Sequence, residues 1–197
     1  MQKGLIYILV ILNSFGLFGQ QTGTFTDTRD GKVYKTIKIG NQTWFAENLA
    51  YKANGGCWAY NKDSVNVTKY GYLYNWEAAK TASPAGWHLP SDAEWTTLTD
   101  YLGGAKVAGG KLKSTMEWSV DASENATNES GFNALPGSAL GYNGSSNFGE
   151  LGVDAFFWSS TSAEGKYFWL RHLNESNVLF RDFDFPAAGY SVRCIKD

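Results

Sequence analysis

Two carboxylates lie two residues apart near the end of the chain, in a segment whose residues are typical of a β-strand. Asp182 and Asp184 would point to the same face of such a strand. Their oxygens could bind calcium, the only cofactor that these residues suggest, or accept hydrogen bonds from sugar hydroxyls. Arg171 offers a simpler role, because it could pair with them across a solvated sheet. We favour that ion pair, since the chain has no loop with the spacing of an EF-hand.

Three aromatic residues precede these carboxylates. Trp158, Tyr167 and Trp169 could form a platform on which a sugar ring stacks. They could equally belong to the core, where most of the eight tryptophans must lie. The candidate ligand-binding set is therefore Trp158, Tyr167, Trp169, Arg171, Asp182 and Asp184.

Residues suited to catalysis are sparse. Only His88 and His172 could be the base of a serine or cysteine triad, and no Gly-x-Ser-x-Gly motif supplies a nucleophile. No His-x-x-x-His or Cys-x-x-Cys spacing indicates zinc, and the glycine pairs lack the lysine of a phosphate-binding loop. We therefore predict no catalytic residue, no metal ligand and no enzymatic activity.

The first twenty residues are typical of an export signal. Lys3 gives a positive start, and residues 5–12 form an unbroken apolar run. The run falls short of the roughly 20 residues that cross a bilayer. We predict cleavage between Gly19 and Gln21. The mature chain would then be secreted or held at the cell surface, with no membrane insertion.

Residues 21–197 suit a single domain. A composition of 43% hydrophobic and 16% aromatic residues can fill a sizeable core. The formal net charge of −2 is too mild to suggest nucleic acid or an anionic membrane as a partner.

Cys57 and Cys194 are the only cysteines. In a chain bound for an oxidising compartment we expect them to form a disulfide. The alternative is two unpaired thiols, one of them reactive. A tether across so long a loop would restrict the unfolded chain by about 4–5 kcal/mol.

The clearest local signal is a helix start. Ser91 followed three residues later by Glu94 forms a capping box, which predicts a helix from Asp92 to about Leu102. Trp95 and other apolar residues fall on one face at helical spacing. Glu94 is thus a helix cap rather than a catalytic acid.

Strand patterns lie on both sides of this helix. Residues 33–39 alternate and residues 43–46 form the returning strand of a hairpin. A second hairpin joins 167–173 to 178–183 through the polar residues 174–177. In that register, one face carries Trp169, Arg171, Phe180, Asp182 and Asp184, and the other carries Phe168, Leu170 and Phe183. Residues 190–195 form the last strand, and residues 51–76 and 104–160 form long ordered loops.

These segments together resemble the Fibrobacter succinogenes major paralogous domain family. The resemblance covers nearly all of the chain after the signal. It is carried by DGKVY at 30–34, IGNQTW at 39–44, ENL at 47–49, YGYLYNW at 70–76, GWHLP at 86–90, EW at 94–95, GFNALPG at 131–137, WSST at 158–161 and SVRC at 191–194. It implies a secreted or surface-attached bacterial domain related to C-type-lectin-like folds and to the formylglycine-generating enzymes.

The resemblance carries over no catalytic residue. The formylglycine-generating enzymes use a pair of neighbouring redox cysteines, whereas Cys57 and Cys194 each match a family position that looks structural. The family implies an α+β fold of the C-type-lectin-like kind, with antiparallel sheets, one or two helices and long ordered loops.

On this scaffold we expect a binding or adhesion module for a polysaccharide or a surface protein. An oxidase of the formylglycine-generating type and a structural surface component without a small ligand are the alternatives.

Overall fold

The computed structural model of the protein describes residues 20–144 and 146–197, and this part of the chain has an α+β fold. Its strands are β1 (Gln21–Thr26), β2 (Val33–Ile39), β3 (Gln42–Phe45), β4 (Cys57–Trp58), β5 (Leu73–Tyr74), β6 (Trp87–His88), β7 (Ala155–Ser162), β8 (Phe168–Leu173), β9 (Phe180–Asp184) and β10 (Ile195–Lys196). Its α-helices are α1 (Val65–Tyr70), α2 (Trp76–Ala82), α3 (Asp92–Tyr101), α4 (Ala105–Leu112) and α5 (Val120–Ser123).

Three antiparallel sheets form the framework: β1-β2-β3-β10-β6, β4-β5 and β7-β8-β9. The predicted hairpin is confirmed as β2 and β3, in which Ile39 pairs with Gln42. Strand β1, which was not predicted, lies at the edge of the first sheet. All but the last residue of the predicted export signal lies outside the described residues. Within the described ranges, no helix has the length and apolar character needed to cross a membrane.

The core is divided in two by strand β3. Trp44 and Phe45 are consecutive and point to opposite faces, and both are fully buried. Trp44 packs in one cluster with Trp95 of α3. Phe45 packs in the other with Trp87 of β6. One sheet therefore separates and supports two hydrophobic cores.

Helix α3 begins as predicted. The Ser91 hydroxyl accepts a hydrogen bond from the Glu94 backbone N–H, and the Glu94 carboxylate accepts from the Ser91 backbone N–H at 2.7 Å. Each side chain thereby satisfies a donor that the helix leaves unpaired. Trp95 and Leu98 are buried on the inner face.

The prediction of one or two helices was wrong, because the described residues form five. Helix α4 has the sequence AKVAGGKL, in which two glycines obscure the helical signal. Close packing explains the first of them. A Cβ on Gly109 would lie 2.6 Å from the Asn177 carbonyl oxygen, so only glycine lets the helix approach that segment. Helix α1 and strands β4 and β5 likewise lie in 51–76, which was expected to be loop.

The predicted register of the second hairpin was wrong by one residue. Leu170 pairs with Asp182, and Trp169 pairs with Phe183. The connection leaves the sheet for longer than the polar run suggests, because buried Leu179 donates its backbone N–H to Ala105 of α4. A slip of one residue exchanges the two faces of a strand. Trp169 and Arg171 therefore share a face with Phe183 and Arg181, not with the carboxylates.

A buried lysine holds this connection in place. Lys113 follows α4 and is fully buried. Its ammonium donates to four backbone carbonyls, those of Ala122, Asn174, Glu175 and Ser176, at 2.9–3.4 Å. Burial lowers the pKa of this lysine. The side chain thus fixes the turn that joins β8 to β9.

The last strand is shorter than predicted. Only Ile195–Lys196 pair as β10, between β3 and β6. Tyr190 and Ser191 instead form isolated bridges with Tyr74 and Phe157. The segment before β10 therefore crosses from one sheet to another rather than extending a single sheet.

Candidate functional site

One face of strands β8 and β9 carries four aromatic side chains in contact, which we call the aromatic ladder: Tyr167, Trp169, Phe183 and Phe185. The ring centroids of Tyr167 and Phe185 are 4.7 Å apart, and those of Tyr167 and Phe183 are 5.2 Å apart. Trp169 and Phe183 are a cross-strand pair at 5.7 Å. Phe183 is 47% exposed and the other three are partly exposed. The ladder is thus an aromatic surface rather than core.

The ladder is exposed because helix α3 covers only part of this sheet face. Asp92, the first residue of α3, bonds to Arg171 of β8 and Arg181 of β9. On the same face, Phe157 of β7 packs on Trp95 of α3 and is buried. The ladder extends beyond the Asp92 contacts to a part of the face that α3 does not cover, so its rings reach the surface.

Asp92 joins the helix to both strands through two arginines. Its Oδ1 accepts from Arg171 Nη1 at 2.8 Å, and its Oδ2 accepts from Arg181 Nη2 at 2.9 Å. Burial alone would raise the pKa of Asp92, but the two guanidinium groups outweigh it and lower the pKa. Burial is also the main reason that the pKa of Arg171 is lowered. The carboxylate therefore stays charged and fixes both arginines.

A cation stands at each end of the ladder. The guanidinium carbon of Arg181 lies 3.4 Å from the ring centre of Trp169 and covers one face of that indole. The ammonium of Lys166 lies 5.0 Å from the ring centre of Phe185. Lys166 and Phe185 also line a surface depression of about 360 Å³, together with residues 186–188 and two glycines, Gly141 and Gly144. A ligand on the ladder would thus meet aromatic rings flanked by positive charge.

Of the predicted platform, only two members lie at the ladder. Tyr167 and Trp169 do, whereas Trp158 is fully buried and donates its indole N–H to the Tyr74 carbonyl at 2.7 Å. Trp158 pairs with Leu170, on the opposite face of the sheet from Trp169. Its proposed role in ligand binding was therefore wrong.

The two predicted carboxylates also lie on the opposite face. Asp182 accepts a hydrogen bond from the Tyr142 hydroxyl at 3.3 Å, and buried Asp184 accepts one from the Tyr190 hydroxyl. The pKa of Tyr190 is raised, first by burial and then by this bond. The expected ion pair of these carboxylates with Arg171 is wrong, because the arginine points to the other face and binds Asp92.

Both histidines are held by carboxylates. His88 Nε2 lies 2.9 Å from Glu94 Oε1, and its Nδ1 lies 2.7 Å from Asp197 Oδ1. His172 Nε2 lies 2.7 Å from Asp154 Oδ1. Burial opposes protonation of His88, but the two carboxylates outweigh it and raise the pKa. In the described ranges, no group of three or more His, Cys, Asp or Glu side chains could hold a metal ion.

The predicted disulfide is not present in the structure, because the two cysteines are free thiols with different neighbours. Cys57 lies in β4 and its thiol contacts the Ala53 carbonyl at 3.6 Å. Cys194 precedes β10 and its thiol lies 3.4 Å from the Ser83 hydroxyl. Burial raises the pKa of Cys194 to about 12 and also raises that of Cys57.

Sequence reasoning missed the partners that complete the site. Phe183 and Phe185 were assigned no ligand role, because the register placed Phe183 on the wrong face. Alternation of Arg181, Phe183 and Phe185 with the acids on β9 was a usable signal. No local signal could have shown that Asp92 meets Arg181, which lies 89 residues away.

The fold and the site define an α+β domain with an exposed ladder of aromatic rings flanked by cations. A comparison with models of protein families matches residues 37–196 to the Fibrobacter succinogenes major domain. The chain belongs to this family, as its motifs predicted. Strand β1 and the first half of β2 precede the matched region. Comparisons with curated proteins and with solved structures gave no match.

Proposed function

We propose that the protein is an extracellular binding module that holds a polysaccharide against the aromatic ladder and does not catalyse a reaction. The observation that carries the proposal is the exposure of the ladder. All tryptophans except Trp58 and Trp169 are buried in the described part of the chain, whereas Phe183 of the ladder is 47% exposed. An exposed, contiguous aromatic surface is typical of a binding site.

The chemistry of the ladder favours a sugar chain. The ladder offers apolar ring faces with the charged side chains of Lys166 and Arg181 at its ends, and sugar rings have apolar faces edged by hydroxyls. The depression beside Phe185 falls within the usual size range of ligand pockets and adjoins the ladder through the contact with Tyr167.

Location and fold form part of the same proposal. The apolar run that follows Lys3 supports export, with cleavage between Gly19 and Gln21. The antiparallel sheets, the capped helix α3 and the long connections support a scaffold of the C-type-lectin-like kind. N-terminal sequencing of the exported protein tests the first of these statements.

Binding to a panel of soluble polysaccharides, measured by affinity gel electrophoresis, tests the ligand. We expect Phe183→Ala to weaken binding by about tenfold or more, as truncation of a central aromatic contact does. Phe180→Ala is the matched control, because Phe180 is an exposed ring on the same strand that points to the other face. An equal loss of polysaccharide affinity in both variants would contradict the proposal, and so would binding of a protein partner but of no polysaccharide.

A further inference from the structure

The charge around the aromatic ladder differs in sign from that of the whole protein. The chain has a formal net charge of −2. Around the ladder, however, Arg171 and Arg181 share one carboxylate, Asp92, and Lys166 has only the exposed Glu164 near it in sequence, which leaves an excess of positive charge. This surface is positive in a protein that is negative overall. Such a local excess attracts ligands of the opposite charge.

Lys166 is the most available of these cations. It is exposed, and it makes no ion pair or hydrogen bond among the described residues. The carboxylate closest to it in sequence is Glu164, two residues earlier, which is also exposed and does not pair with it. Lys166 lies over the Phe185 ring and lines the depression, so its ammonium faces the position that a ligand would occupy.

Arg181 supplies a second, more rigid donor. Its Nε and Nη2 are bonded to Asp92, and it stacks on Trp169 at 3.4 Å. Within the described ranges its Nη1 group has no hydrogen-bond partner, and the side chain is 47% exposed. A guanidinium fixed in this way loses little conformational entropy when it binds an anion.

The acids of β9 do not cancel this charge on the ladder face. Asp182 and Asp184 alternate with the ladder residues and point to the opposite face, where tyrosine hydroxyls bind them. An anionic group of a ligand on the ladder would therefore meet Lys166 and Arg181, and no carboxylate of β9 would face it.

We propose that the ligand is an acidic polysaccharide, a chain of uronic acid units whose carboxylates bind Lys166 and Arg181 while its rings lie on the ladder. The inference rests on the proposed function, because it assumes that a sugar chain occupies this surface. It adds the charge of the ligand and the two residues that select for it.

The test compares polyuronates with their own neutral forms. Polygalacturonate and alginate are each used beside the methyl-esterified polymer, which keeps the backbone and removes the charge. We expect the acidic forms to bind about tenfold more tightly at low salt, and the advantage to shrink at about 0.5 M salt. Lys166→Gln should remove most of it. Lys106→Gln should leave it unchanged, because Lys106 of α4 is exposed and makes no ion pair with any residue that the structure describes.

The outcomes separate the two proposals. Equal affinity for acidic and esterified polymers, or equal effects of the two lysine variants, would overturn the preference for acidic sugars. If neutral polysaccharides bind through Phe183 while polyuronates do not, the binding function stands and this inference fails. If no polysaccharide binds, both fail.

Discussion

Asp92 is the residue through which helix α3 and the aromatic ladder are coupled. Its position in the first turn of a helix already explains an acid there, because the helix dipole favours negative charge at that end. The structure adds a second role, in which one carboxylate pairs with Arg171 and Arg181. The side chain of Arg171 is only 3% exposed and depends on this partner.

The substitution Asp92→Asn should therefore destabilise the fold. The neutral amide would leave the buried guanidinium of Arg171 without a countercharge, and loss of one partner of such a pair costs about 3 kcal/mol. Urea denaturation at neutral pH measures the change. Asp100→Asn on the same helix is the control, because Asp100 is exposed and makes no ion pair in the described part of the chain. Similar unfolding midpoints for the two variants would contradict this role.

His88 should make the stability of the folded protein depend on pH, and a substitution at this residue isolates the effect. Its pKa is raised in the folded protein by Glu94 and Asp197, so protonation favours folding. This contribution is complete below the unfolded pKa of about 6.5 and disappears as the pH rises through the folded value. His88→Gln should thus destabilise the protein more at about pH 5.5 than at about pH 8.5. A loss of stability in the variant that does not change with pH would exclude the mechanism.

At the scale of elements, the sequence predicted what local chemistry determines. The β2–β3 hairpin and the start of α3 follow from alternation and from the Ser91–Glu94 cap, which involve residues close in the chain. Helix α4 and the β8–β9 register depend on residues far apart, since the Gly109 N–H bonds to the Asn177 carbonyl and the Leu179 N–H bonds to the Ala105 carbonyl. Because the register decides which face each side chain takes, one wrong step placed Asp182 and Asp184 on the face of Trp169, whereas the structure puts them on the opposite face.

Lys113 is the element-scale link between α4 and the connection that joins β8 to β9. Its ammonium donates hydrogen bonds to backbone carbonyls of the β8–β9 connection and of α5, which have no water to bond to when buried. Replacement by Met should leave these carbonyls unsatisfied and cost about 2 kcal/mol. Amide exchange in residues 174–179 should accelerate, because the connection loses its buried anchor.

Hydrogen exchange with mass spectrometry measures the effect of Lys113→Met. Lys106→Met is the matched control, since Lys106 lies on the exposed side of the same helix. Faster exchange confined to the connection supports the role. Unchanged exchange there, or an equal change in the control, would show that the turn is held by other contacts.

At the scale of the whole molecule, the fold holds together without a covalent tether. Strand β10 lies between β3 and β6, and the Cys194 carbonyl accepts a hydrogen bond from the Phe45 backbone N–H. The two hydrophobic clusters share β3, so the end of the chain is fixed by the sheet and by burial on both of its faces. The predicted disulfide is therefore not needed to explain how residues near the terminus reach the first strands.

The two cysteines should consequently respond differently to substitution. Cys194 is fully buried, so Cys194→Ala should cost about 1–2 kcal/mol through lost packing. Cys57 is only partly buried, and Cys57→Ala should change stability by less than about 0.5 kcal/mol. Denaturation of the protein purified without reductant measures both. If the two cysteines formed a disulfide, each variant would lose it, and the free energy of unfolding would fall by about 4 kcal/mol in both. Unequal losses, with a wild-type mass that reductant does not change, are the result that two free thiols predict.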